Sequence, residues 1–282
     1  MNRVFEKFMP ARFRSDRTVV PVVPLNGAIT GQRRLGSGMS LATVEDALKR
    51  AFAFPRAPLV AIAINSPGGL PVQSHLIHTR IRALAAEHER QVIVGIEDVA
   101  ASGGYLIALA GDEIVAHGSS IVGSIGVIHA SFGFHEAISR IGVERRVHTA
   151  GESKSILDPF RPEKPEDVVR LKAIQEDMYE DFVALVKARR GDALAEGEED
   201  LFSGAFWSGK TAHGLGLVDR VGDLRTVLRE RYGDGLRLRV FPTERKPLLR
   251  RFGVDAGSGY TRLVTEIAGG VEERALWSRY GL

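Results

Sequence analysis

The stretch PLVAIAINSPGG, residues 58–69, followed after one helical segment by QVIVGIEDVAASGG, residues 91–104, decides the fold. Residues 58–65 are apolar almost without alternation, which marks a strand buried on both faces of a parallel sheet. The run stops at Ser66-Pro67-Gly68-Gly69. Val72, Leu76, Ile77 and Leu84 then supply the expected apolar face of a helix, and residues 91–96 are the next buried strand. Strand, helix and strand at this spacing make a βαβ unit.

The same alternation extends in both directions. Upstream, TVVPVVPLNGAI at 18–29 is β-branched and ends in a turn, so it reads as a strand whose prolines argue for a sheet edge. Ser40 caps a helix with Leu41, Val44, Leu48 and Phe52 on one side. Downstream, Ser102-Gly103-Gly104 opens a short apolar helix, EIVAH at 113–117 is a strand, and GSSIVGSIGVI is a small-residue turn. A helix at 134–141, a strand at 143–149 and a polar loop at 150–164 follow. The spacing of Leu171, Ile174, Met178, Phe182 and Leu185 predicts a long helix from 165 to 190, with proline at its start and Gly191 at its end. Residues 205–230 read as helix, strand (GLVD) and helix, and 236–241 as a last strand. The expected organisation is a basic, aromatic N-terminal segment at 1–17, an α/β domain at 18–241, and a tail at 242–282 ordered by an oligomer.

The chain has 282 residues, 44% of them hydrophobic and 26% charged, which is ordinary for a globular protein with a large core. Zero cysteines exclude disulfides, thiolate metal sites and a cysteine nucleophile. No apolar run approaches the roughly 18 residues of a membrane span, so the expected location is cytoplasmic, with peripheral contact at the inner membrane. The net charge of +3 resides in residues 1–18, where Arg3, Lys7, Arg12, Arg14 and Arg17 outnumber Glu6 and Asp16. The rest is balanced, without the basic footprint of a nucleic-acid binder. Phe5, Phe8, Met9 and Phe13 interleave with those cations as in an interfacial anchor, although a frayed or oligomer-docking tail is the commoner role of such a segment.

In a parallel sheet ligands gather beyond the carboxyl ends of the strands, where both glycine turns fall. Ser102, at a strand-to-helix turn, is placed like a nucleophile, and the Gly69 and Gly103 N–H groups could form an oxyanion hole from two turns. A serine needs a base, and the chain offers histidines and lysines in no obvious triad order; Lys154, in the irregular segment Gly151-Glu152-Ser153-Lys154-Ser155, stands out, although a lysine in a polar loop is ordinarily a solvated surface charge. A lysine does this work at neutral pH only where burial and hydrogen bonds hold it unprotonated.

INSPGG at 64–69, AASGGYLIALAGDEIVA at 100–116, VGSIGVI at 122–128, the segment from Gly151 to Pro159-Phe160, and GLGLVDRVG at 214–222 resemble, in order, the signal peptide peptidase A family. The resemblance covers roughly residues 18–230. It implies an α/β fold of the Clp protease and crotonase type, a parallel sheet built from repeated ββα and βαβ units with flanking helices. It also implies a serine endopeptidase with a Ser-Lys dyad: Ser102 as nucleophile, Lys154 as general base, Ser124 orienting the lysine, and Gly69 and Gly103 as oxyanion donors. No cofactor and no metal are implied. The partners implied are an extended apolar or signal-peptide-like substrate and further copies of the chain, in a homo-oligomer such as an octamer. Against that family's usual pattern, no N-terminal membrane helix and a single copy of the unit are expected.

Other constellations compete. His129 follows Ser102 by 27 residues, a spacing suited to a Clp-type Ser-His site. A crotonase-like acyl-CoA enzyme would share the paired N–H groups but leave Ser102 idle, and a non-catalytic scaffold would tolerate its loss. His75 and His78 could touch a metal but are read as exposed polar positions. Gly123 and Gly126 lack the context of a nucleotide loop.

Overall fold

The computed structural model describes residues 17–31, 38–151, 153–195, 199–243 and 276–281. The residues Phe5, Phe8, Met9 and Phe13, and most of the 242–282 segment, lie outside the described residues. The chain divides into two units, one formed by residues 1–125 and 185–282 and the other by residues 126–184.

The first unit is a sheet with helices on both faces. Strand β1 (Val19–Asn26), helix α1 (Leu41–Phe52), strand β2 (Leu59–Ser66), helix α2 (Pro71–Glu87) and strand β3 (Gln91–Ala101) alternate as expected. Helix α3 (Gly103–Ala108) and strands β4 (Glu113–Ala116) and β5 (Ile121–Gly123) follow. The sheet order is β6-β5-β3-β2-β1-β8, where β6 is Phe206–Ser208 and β8 is Arg237–Val240. Neighbours run parallel except β5 and β6. Strand β3 forks: Ile93–Ile96 pair with β4, while Val99–Ala101 pair with β5. Strand β4 also pairs with β7 (Arg220–Val221).

Residues on alternate sides of the strands form two apolar layers. On one, Val20, Val22, Leu59, Ala61, Ala63, Ile93 and Val115 meet Val227 and Leu228 of helix α7 (Leu224–Tyr232). Gly95 allows that approach, because a side-chain carbon there would lie 2.7 Å from Leu224 Cβ. The other face carries α1, α2 and α3, with Ile77, Ile81, Leu84 and Tyr105 fully buried.

Several expectations need correction. Strand β1 is interior, paired with both β2 and β8. Its prolines survive there because the β8 register covers Val19–Val22 and the β2 register Val22–Asn26. The carbonyls of Thr18 and Val22 accept from β8, so Pro24 turns its nitrogen toward β8 and Pro21 toward β2, in each case the side on which that residue has no ladder partner, and the missing N–H costs no sheet bond. On α2 the buried face is Ser74, Ile77, His78, Ile81, Leu84 and Ala85, whereas Val72 and Leu76 are exposed and His78 is not. The small-residue turn contains β5, and the strand expected at GLVD forms one step later, as β7, with Leu217 and Val218 buried in the turn before it. Helix α6 (Gly209–Gly214) precedes that turn.

The second unit holds helix α4 (His135–Arg140) and most of helix α5 (Pro165–Arg190), whose bounds match the sequence expectation. Residues 143–149 form no strand and are largely exposed. Phe134 stacks on Phe160 at 5.6 Å between ring centres, and its N–H donates to Pro159 O at 2.6 Å. Arg145 bridges Asp158 at 3.2 Å. Among the described residues from 126 to 181 none is buried. Ile128, Phe132, Ile141 and Val169 are all more than half exposed.

Candidate active site

Strands β2 and β3 end side by side, with Ser66 in register with Ala100, and both glycine turns start from there. Ser102 occupies the corner between β3 and α3 with φ +52° and ψ −123°. A non-glycine residue in that region is strained, typically by about 1–3 kcal/mol, and persists only where its surroundings hold it. Two backbone bonds do so: Ser102 N–H donates to Gly123 O at 2.8 Å, and Leu106 N–H donates to Ser102 O at 3.0 Å.

The first glycine turn abuts this corner. A side-chain carbon on Gly68 would lie 2.8 Å from Ser102 Cβ and 3.0 Å from Gly103 N, so only glycine lets the turns approach. Ile29 fixes the turn from the other side, its N–H donating to Gly68 O at 2.8 Å and its carbonyl accepting from Leu70 N–H at 2.9 Å. Gly69 lies between those bonds, and its own N–H has no acceptor among the described residues. The Gly103 N–H, first in α3, likewise has none there. Two amide donors without an acceptor, one from each of the turns that meet at Ser102, therefore remain among the described residues.

Ser124 follows β5 as Ser102 follows β3. Ala101 and Gly123 are register partners, so the two serines leave neighbouring strands at the same level, about 5 Å apart in backbone spacing. Ser124 also has a positive φ, +53°, and its N–H donates to Ala205 O at 2.7 Å. The sequence offered no signal for Tyr280. Its hydroxyl lies 3.4 Å from Ser124 Oγ and 3.5 Å from Pro67 O, and its ring meets Phe206 edge-on at 5.2 Å.

Ser102, Ser124, Gly69 and Gly103 thus come together in the first unit. Lys154 belongs to the second, in an exposed turn where its N–H donates to Gly151 O at 3.2 Å. His129 is also in the second unit and exposed. His78 is buried with its Nε2 unpartnered among the described residues. Burial, followed by Arg189, His75 and Arg82, lowers its pKa to about 4, and a hydrogen bond to Leu109 opposes that shift. No group of three or more acidic or histidine side chains that could hold a metal occurs among the described residues. No helix among them is long and apolar enough to cross a membrane.

Known proteins share both the fold and the sequence. A solved structure of the 1510-N membrane-bound stomatin-specific protease, a lysine-to-alanine mutant in complex with a substrate peptide, superposes with a TM-score of 0.50. It covers 84% of this chain and 97% of that one at 16% identity, a likeness of fold alone. Serine protease SPPA, chloroplastic, of Arabidopsis thaliana is 35% identical over 171 residues, 59% of this chain and 24% of that protein. A protein of Brucella abortus (strain 2308) named Na(+)/H(+) antiporter NhaA is 52% identical over 288 residues. That alignment takes in 99% of this chain, which spans only 39% of the Brucella protein. Residues 85–233, just over half of the chain and including Ser102, Ser124 and Lys154, match peptidase family S49, and the chain belongs to that family.

Proposed function

We propose that the chain is a serine endopeptidase acting through an acyl-enzyme. The observation that carries this is the strained Ser102 beside two unengaged backbone N–H groups, from Gly69 and Gly103. Lys154 Nζ takes the Ser102 hydroxyl proton, and Oγ forms a bond to the scissile carbonyl carbon. The carbonyl oxygen gains the negative charge and accepts from both N–H groups, the arrangement that lowers the barrier for acyl transfer. The C–N bond then breaks, the leaving amine takes the proton from Lys154, and water releases the acyl group by the reverse sequence. Ser124, level with Ser102 on the next strand, orients the lysine.

The substrate in this reading is an extended peptide. An extended peptide pairing beside the sheet presents alternate side chains to pockets, which suits apolar, signal-peptide-like segments. The partner is a second and further copy of this chain. Among its described residues the unit of residues 126–184 buries only Phe182, while it exposes Ile128, Phe132, Ile141 and Val169, too little for a core of its own. Each such side chain gains roughly 1.5–3 kcal/mol when covered. Lys154, exposed in this unit, gains through the same assembly the desolvation that a lysine base requires.

A fluorophosphonate probe tests the assignment. It should label Ser102 in the wild type and leave Ser102→Ala unlabelled, and Lys154→Ala should fold, assemble and lose peptide hydrolysis. A folded wild type that resists the probe sinks the proposal. Activity retained in Lys154→Ala but lost in His129→Ala would transfer the role of base to the histidine.

A further inference from the structure

We propose that two serines outside the dyad, Ser66 and Ser74, are positioning residues that set the separation and aim of the two oxyanion donors. The inference rests on the serine peptidase reading and adds to it the parts that hold its donors in place. Both side chains are fully buried, so neither touches substrate, and a buried hydroxyl is costly unless it is hydrogen-bonded.

Each serine contacts both glycine turns. Ser66 ends β2, and its Oγ accepts from Gly68 N–H at 3.2 Å, closing the Ser66-Pro67-Gly68 turn on itself. Its carbonyl lies under α3, where a side-chain carbon on Gly104 would come within 2.6 Å of Ser66 O. Ser66 therefore fixes the residue before the Gly69 donor and supports the residue after the Gly103 donor. Ser74, in the first turn of α2, donates from Oγ to Leu70 O at 3.0 Å, on the residue after Gly69. The same Oγ lies so close to Gly103 that a side-chain carbon there would collide with it. The back-bond from Ser74 to Leu70 O is common in helices and by itself implies nothing beyond local structure. Its simultaneous contact with Gly103 carries the inference, because it makes one hydroxyl a spacer between the two donors.

The kinetic consequence is large because donors act only where the oxyanion forms. Removing one donor costs about 10²–10³-fold in kcat, and a displacement near 1 Å of a reacting group can cost about 10²-fold. Ser66→Ala leaves the Gly68 N–H without its acceptor and frees the first turn. Ser74→Ala removes the spacer at a helical position where alanine is the best helix former, so it folds even if Ser66→Ala does not.

The experiment uses the full chain and counts active sites by fluorophosphonate titration, so that misfolded protein does not enter the rate. Hydrolysis of a peptide substrate gives kcat and KM per titrated site. Inhibition by a peptide boronate, which becomes a tetrahedral anion on Ser102 Oγ, measures the donors directly. A noncovalent product peptide measures ground-state binding. The expected result for each variant is kcat lowered about 10- to 100-fold, boronate affinity lowered by a similar factor, and KM and product affinity within about twofold of wild type. A merely structural role would lower the midpoint of unfolding and the titrated fraction and leave kcat per site unchanged. The proposal is overturned if kcat per titrated site and boronate affinity in Ser74→Ala both stay within about twofold of wild type. Failure of the wild type itself to react with the fluorophosphonate refutes the peptidase reading instead.

Discussion

Lowering the pH from 7 to 5 should cost the fold about 2 kcal/mol through one side chain, His78. This imidazole is 8% exposed on the inner face of α2, and its pKa falls from 6.5 to about 4, first because of burial and then because of Arg189, His75 and Arg82. Both arginines are engaged nearby: Arg189 donates to Leu109 O at 2.8 Å and Gly111 O at 2.7 Å, and Arg82 to Ala110 O at 3.0 Å and Asp112 at 2.8 Å. In the unfolded chain the imidazole binds its proton with an ordinary pKa near 6.5. Between those two values the unfolded state holds more protons, so stability is complete above about pH 6.5 and is lost as the pH falls toward 4. The gap of about 2.5 units corresponds to at most about 3.4 kcal/mol, of which about 2 kcal/mol is realised by pH 5. Urea unfolding of wild type and His78→Gln at pH 7 and pH 5, at one protomer concentration, isolates this contribution from the other histidines. Glutamine keeps an N–H for Leu109 O and has no proton to gain, so the variant should lose about 2 kcal/mol less than wild type over the interval. Equal losses in the two proteins would refute the placement of His78 and the linkage built on it.

Two further outcomes follow from burial. Tyr105 is fully buried and donates to Leu217 O at 2.8 Å, so Tyr105→Phe should cost about 1–3 kcal/mol by leaving that carbonyl unpaired, and a loss below about 0.5 kcal/mol in chemical denaturation would contradict the bond. Leu76→Gln should change stability by less than about 0.5 kcal/mol, because Leu76 is exposed, whereas Ile77→Ala next to it should cost about 2–5 kcal/mol. The same denaturation series reads both, and a reversed ranking would show that α2 presents a different face to the sheet.

Elements whose signals are local are legible in the order of the amino acids. Uninterrupted apolar runs announced β2 and β3, the 3- and 4-residue steps together with Pro165 and Gly191 bounded α5, and glycines after two strands marked the turns that flank Ser102. The ordered motifs carried the family as well. What depends on remote partners emerges only in the folded chain. Strand β1 became interior because β8, more than 200 residues later, pairs with its first half. VERRVHT at 143–149 remained without a strand because a β-rich composition needs a neighbouring ladder, and none forms there. Val72 and Leu76 had apolar side chains but no layer over them, while His78, polar in sequence, was drawn into the core by its place on the helix face. Ser66 and Ser74 were unremarkable letters until the fold brought both glycine turns against them, and Tyr280 reached Ser124 across 156 positions. Periodicity and turn chemistry are written within a few residues of one another. Pairing, burial and the meeting of distant side chains are not, because they are fixed by which surfaces the whole chain brings together.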